Sequence, residues 1–166
     1  CPSKFSLESK NLNKLGGIES LNLELAKSLS KNKINVTLAT ICKKTIIRNK
    51  IINISIEKLK KNSKKYSFDS IISSNDTSLY SYFKKTKKIL WLHNKLQIEK
   101  SIRKKSFFPI NYYRPHVVFV SEYLNNVTSR FFLFKRRFVI SNFLSNNFKI
   151  EKMNFNRKKI FVWSVQ

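Results

Sequence analysis

Two glycines and two histidines are all that this 166-residue chain contains of either type, and their placement suggests chemistry. Gly16 and Gly17 are adjacent and directly precede a stretch of helical periodicity. Without a Cβ, the backbone there can take positive φ and lie close to a ligand. The helix that follows offers free N–H groups and the positive end of its dipole, a combination suited to phosphate. The same pair also reads as a plain tight turn into a helix. Its spacing is neither G-x-G-x-x-G nor a Walker A loop, so neither a dinucleotide-binding fingerprint nor a P-loop NTPase is indicated. His93 closes the apolar run Ile89–His93 and is followed by Asn94. An imidazole at such a point can move a proton near neutral pH, but a lone histidine after an apolar strand is more often structural. Ser121 and Glu122 open another loop, where they either cap the next helix or touch ligand. His116, beside Pro115 and ahead of a strand, reads as structural, and so does Asp69 at the start of a strand. No Cys/His cluster has metal-ligand spacing, and Cys1 and Cys42 cannot build a disulfide framework. The expected setting is reducing and cytoplasmic.

The elements that must position these residues alternate along the chain. Strands are expected at 34–40, 51–56, 69–73, 89–93, 117–121 and 138–141. Several are continuous apolar runs, the pattern of strands buried on both faces of a parallel sheet. The clearest helix is Ile18–Ser30, where Ile18, Leu21, Leu25 and Leu29 form one apolar stripe. Further helices are expected at 77–85, 96–105 and 122–134. Strands alternating with helices predict an α/β fold, an open and mainly parallel sheet with helices on both faces. Ligands of such sheets bind beyond the carboxyl ends of the strands, which is where His93, Asn94, Ser121 and Glu122 fall. Both ends of the chain read as truncated. Cys1 and Pro2 fit the end of a first strand whose earlier residues are missing, and Lys159–Ser164 reads as a strand that begins and is cut off.

The net charge is +25. It invites an anionic partner, either a membrane face or nucleic acid. Only seven of the 34 basic residues are Arg, the usual residue for bidentate phosphate and base contacts, while Asn and Ile number eighteen each. Lys, Asn and Ile together are what an A/T-rich genome imposes, so much of the charge is compositional. Lys58–Lys65 reads as a solvated helix face or loop. Phe131–Phe138 (FFLFKRRF) reads first as a helix end packing its Phe side chains into the core, and second as an interfacial patch for anionic lipid. Lys100–Tyr113 is the other candidate for membrane contact.

Several segments, taken in order, carry a resemblance. Gly16-Gly17-Ile18-Glu19 leads into a helix with Leu25-Ala26 and Leu29, then Val36-Thr37 and Thr40. Phe68–Ile72, Leu92-His93-Asn94, Val118–Tyr123 and Val139–Asn142 follow. The set resembles the N-terminal domain of family 4 glycosyltransferases of the GT-B fold. It departs from that family at Lys33-Ile34, where the family prefers Gly-His, and at Phe143, where it has Gly.

The resemblance implies an N-terminal, acceptor-side Rossmann-like domain over residues 1–157, with residues 158–166 beginning a donor-binding domain. It implies a retaining transfer from a nucleotide-sugar donor to a glycan or lipid-linked acceptor, in cell-envelope polysaccharide or lipopolysaccharide synthesis. Gly16 and Gly17 would approach the donor diphosphate, and His93 would serve catalysis in the cleft. Glu19, Asn94, Ser121, Glu122 and Asn142 would line it. No metal cofactor is implied, because the Asp-x-Asp motif of metal-dependent GT-A enzymes is lacking. Residues 1–166 by themselves would be inactive, and the protein would be cytoplasmic, with a peripheral place on the inner membrane face. The competing reading is a basic nucleic-acid-binding or peripheral membrane-binding α/β domain without catalysis.

Overall fold

The computed structural model describes residue 7, residues 16–42 and residues 44–142. The expected strand at Lys159–Ser164, the first strand ending at Cys1-Pro2 and the domain boundary at 157 lie outside these residues. Within them the chain is α/β, with parallel strands flanked by helices.

The first helix, α1 (Gly17–Lys31), forms where expected, but it buries Leu23 and Ala26 most deeply, while Ile18, Leu21, Leu25 and Leu29 of the expected stripe are half-buried. It leads to β1 (Val36–Thr40), which pairs in parallel with β3 (Ile51–Ser55). Between them in sequence lies β2 (Ile46–Arg48), antiparallel to β3 and giving the order β1-β3-β2. The β2–β3 hairpin turns through Asn49 and Lys50, with φ of 49° and 62°. Positive φ at both central residues is what a two-residue hairpin with the right strand twist requires. A short helix, α2 (Ile56–Lys61), and a 3-10 turn at Ser63–Lys65 take up the lysine-rich stretch, with Leu59 turned into the core.

The second sheet is entirely parallel, in the order β4 (Ser70–Ser74), β5 (Lys87–Leu92), β6 (His116–Phe119), β7 (Arg136–Val139). Helices α3 (Ile98–Arg103), α4 (Phe107–Tyr113) and α5 (Glu122–Val127) connect its last three strands. One core cluster, including Leu90, Val117, Phe119 and Phe132, lies against this sheet. A second, including Ile54, Ile71, Tyr80 and Phe83, joins the two sheets. Strands β1 and β4 face each other across a groove lined by Ala39, Ile71 and Ser73 among others.

Each of the six expected strands is found, shifted by no more than a few residues. One expected helix is not found, and another is shorter than expected. Residues 77–85 form successive turns, with Tyr80 N–H on the Thr77 carbonyl and Thr86 N–H on that of Phe83. The turns end on Lys88, a buried β5 residue whose ammonium donates to the carbonyls of Phe83, Lys84 and Thr86 at 3.0, 2.9 and 2.7 Å. Its ring neighbour Tyr113 lies 4.6 Å away. Burial lowers the Lys88 pKa from its ordinary value. Replacing it (Lys88→Met) removes the ammonium donor from three carbonyls, of which only that of Phe83 keeps a backbone N–H, so a loss of about 1–3 kcal/mol is expected in denaturant unfolding. A midpoint matching the parent would contradict that role.

The helix expected over 122–134 stops at Val127, because Thr128 Oγ1 donates to the Leu124 carbonyl at 2.6 Å and its own backbone is extended. Phe131–Phe138 is therefore not a helix end. It is a loop followed by β7, with Phe132 buried, Phe134 half-buried, and Phe131 and Phe138 exposed. Arg137 lies over the Phe134 ring at 5.2 Å instead of serving a helix dipole.

Candidate functional site at the carboxyl rim

The carboxyl ends of β4, β5 and β6 and the start of α1 share one rim. Ser74 Oγ, at the end of β4, donates to Asn22 Oδ1 of α1 at 2.8 Å, which fixes the early turns of the helix beside that strand end. Next along the chain, Asn75 takes a left-handed backbone with φ of 52°, and its N–H reaches the Trp91 carbonyl at 3.0 Å. Its side-chain Oδ1 accepts the His93 N–H at 2.9 Å. Asparagine suits both tasks, since it tolerates that backbone region and carries a short acceptor. Asn75 thus ties the ends of β4 and β5 together and sets where His93 leaves the sheet.

His93 is half-buried, with its ring centroid 4.6 Å from that of Trp91, two residues earlier on the same strand face. His93 Nε2 and Trp91 Nε1 are both buried with no hydrogen-bond partner among the described residues. Desolvation lowers the His93 pKa from its ordinary value, so the ring is neutral at pH 7. A neutral imidazole with an unengaged nitrogen can orient a hydroxyl or take its proton.

Gly16 caps α1 with φ of −63° and ψ of 160°, and neither glycine has positive φ. The pair is therefore not needed for a left-handed turn. A Cβ on Gly17 would meet nothing within 4 Å, whereas one on Gly16 would collide with the Glu19 carboxylate. Glu19 curls back over the start of its own helix, where the dipole favours a negative group. The same dipole would favour an incoming phosphate, so the carboxylate stands where such an anion would approach.

The remaining expected residues are placed as follows. Ser121 caps α5, accepting the Leu124 N–H at 3.3 Å. Glu122 is exposed and accepts from Asn125 Nδ2 at 3.4 Å. Asn94 is exposed beside His93, but the side chain that holds His93 is that of Asn75. Asn142 is exposed just past the carboxyl end of β7. His116 starts β6 at the opposite edge, stacked on Phe138 at 6.2 Å. Burial first, and then Lys87, Lys135 and Arg136, lower its pKa. Asp69 is also at that edge, its carbonyl accepting the Lys87 N–H. Sequence reasoning missed Asn75, and the signal available was an Asn-Asp pair directly after an apolar strand.

The two lowered histidines carry a pH consequence. Unfolded histidines take up protons near pH 6.5, while the folded chain resists doing so. The unfolded state therefore binds more protons just below that pH, and stability falls as pH drops through the lowered values. Urea midpoints should decrease from pH 7.5 to 5, and the decrease should shrink in a His93→Gln/His116→Gln double variant. An unchanged decrease would place the acid sensitivity elsewhere.

Among the described residues no three of His, Cys, Asp and Glu come together as a metal site. No helix among them is long and apolar enough to cross a membrane. No family model, curated protein or solved structure matches the chain.

Proposed function

We propose that the chain forms the acceptor-side domain of a GT-B-type glycosyltransferase that uses a nucleotide-sugar donor. The observation that carries this reading is His93: neutral, held by Asn75 at a strand's carboxyl end, with a buried and unengaged Nε2. It shares its rim with the early turns of α1 through the Asn22–Ser74 bond, and α1 begins at Gly16-Gly17. The ordered segments that resemble family 4 glycosyltransferases support the same roles for these residues.

In the proposed reaction the bond from the anomeric carbon to the donor phosphate breaks and a bond to the acceptor hydroxyl oxygen forms. The nucleoside diphosphate leaves with the electron pair and the hydroxyl proton is released. His93 orients that hydroxyl by accepting its hydrogen bond, which raises electron density on the attacking oxygen. The start of α1 faces the diphosphate, with the Glu19 carboxylate swung aside. A further domain supplies most of the donor contacts, and transfer retains configuration. The site needs no metal. The acceptor is a glycan or lipid-linked glycan of the cell envelope, and the enzyme works on the cytoplasmic side of the membrane.

The nucleic-acid alternative requires aromatics exposed on strands for base stacking. In the all-parallel sheet Trp91 and Phe119 are buried, and only Phe138, stacked on His116, is an exposed strand ring. The test is sugar transfer by the full-length polypeptide, using a panel of UDP- and GDP-sugars with membrane extract as acceptor. Incorporation from one donor is expected. Transfer by residues 1–166 alone would overturn the two-domain reading, and no incorporation from any donor would count against the enzyme reading.

A further inference from the structure

Two sequence segments far apart in the chain meet on one surface. Helix α4 turns Phe107 and Ile110 inward against the core, while Phe108 and Tyr112, one turn apart, are 71% and 78% exposed. The loop before β7 is pinned beside it. Leu133 N–H donates to Asn111 Oδ1 at 2.8 Å, and the Phe107 and Phe132 rings pack at 5.5 Å. That loop buries Phe132 but leaves Phe131 73% and Leu133 44% exposed. Four large apolar side chains thus stand in solvent on one docked pair of segments. Isolated exposed apolar residues need no explanation, but a contiguous group does.

The charge around this group is one-sided. Residues 98–114 and 130–137 hold nine cations and a single carboxylate, Glu99. Exposed Arg114 and Lys135 border the patch directly, since the Lys135 N–H bonds the Pro115 carbonyl next to Arg114. The patch reaches the amino ends of β6 and β7, the edge opposite His93.

We propose that this face, α4 with residues 130–135, docks on an anionic lipid bilayer. Aromatic and aliphatic side chains ringed by Lys and Arg match an interface where rings and chains enter the headgroup boundary and cations meet lipid phosphate. A second copy is disfavoured as the occupant, because each chain carries +25. Nucleic acid would use the rings for stacking but gains nothing from an exposed leucine. The inference stands on the surface alone and does not depend on sugar transfer.

The test is co-sedimentation of the 166-residue chain with vesicles of equal parts phosphatidylglycerol and phosphatidylcholine, against phosphatidylcholine alone. Binding to the anionic vesicles is expected, weakened about 100-fold in Phe108→Ser/Phe131→Ser. Both side chains are exposed, so the melting temperature should hold. A Phe131→Trp variant gives an independent readout, with a blue shift of the added indole emission on anionic vesicles. Equal binding by parent and double variant would overturn the proposal, since diffuse charge would then suffice. So would an unshifted emission from the Phe131→Trp variant, or a parent chain that ignores vesicles but binds an oligonucleotide or itself.

Discussion

Sugar transfer by the full-length polypeptide is expected to fall about 10²- to 10⁴-fold when His93 is replaced by glutamine. The substitution keeps a side chain of similar reach and a hydrogen-bonding group, so the fold should survive. What it removes is a ring whose proton can move near neutral pH. The loss should appear in kcat more than in KM, because the proposed hydrogen bond strengthens as the acceptor oxygen reacts. In the parent, activity should decline in acid as the neutral ring is lost, below the ordinary histidine range because burial lowers its pKa. An unaltered kcat in His93→Gln, with normal folding, would remove the histidine from the mechanism.

The largest stability effect is expected at Tyr80, which has no exposed surface. Its ring sits in the cluster that joins Ile54 of β3 to Ile71 of β4, and it meets Tyr113 edge-on at 6.0 Å. Its hydroxyl shares a 2.8 Å hydrogen bond with Ser73 Oγ. Burial drives the hydroxyl pKa far above its ordinary value, so it stays protonated. Truncation (Tyr80→Ala) removes a large ring from the seam between the sheets and should cost about 3–5 kcal/mol. Tyr80→Phe, which loses only the hydrogen bond, should cost about 1 kcal/mol. Denaturant unfolding of the pair separates the two contributions, and a mild Tyr80→Ala variant would show that the seam is loosely packed. The adjoining groove between β1 and β4 makes that comparison informative.

Strand identity was legible from the β-branched and apolar runs Ile71-Ile72, Ile89–Leu92 and Val117–Phe119, although only β5 is buried along most of its length, and burial alternates along β4 and β6. Turns were hardly legible. With two glycines in the chain, left-handed positions fall to other residues: Lys33, Asn49, Lys50, Asn75, Lys105 and Arg114. Asn49-Lys50 therefore hid the β2–β3 hairpin, since lysine is no turn signal. The helix expected over 77–85 is replaced by successive turns, and the one expected over 122–134 ends where Thr128 becomes extended. α4 escaped notice because Pro109 and four aromatics give it no helical propensity, and packing of Phe107 and Ile110 holds it. At the site, His93 and the glycine pair were visible as rare residues at element boundaries. Asn75, the residue that fixes His93, was one asparagine among eighteen.

Whether His93 meets the reacting molecules decides the proposed mechanism, and histidine NMR reads that contact without relying on turnover. His93 and His116 lie at opposite edges of the same sheet, so one reports on the rim and the other serves as an internal control. Ring signals of the full-length polypeptide, assigned with His93→Gln and His116→Gln, would be followed while the panel of UDP- and GDP-sugars is added. One donor class should move the His93 signal and leave His116 in place. A His93 signal that stays fixed under a donor shown to be turned over, or equal movement of both, would refute a role for His93 at the reacting centre.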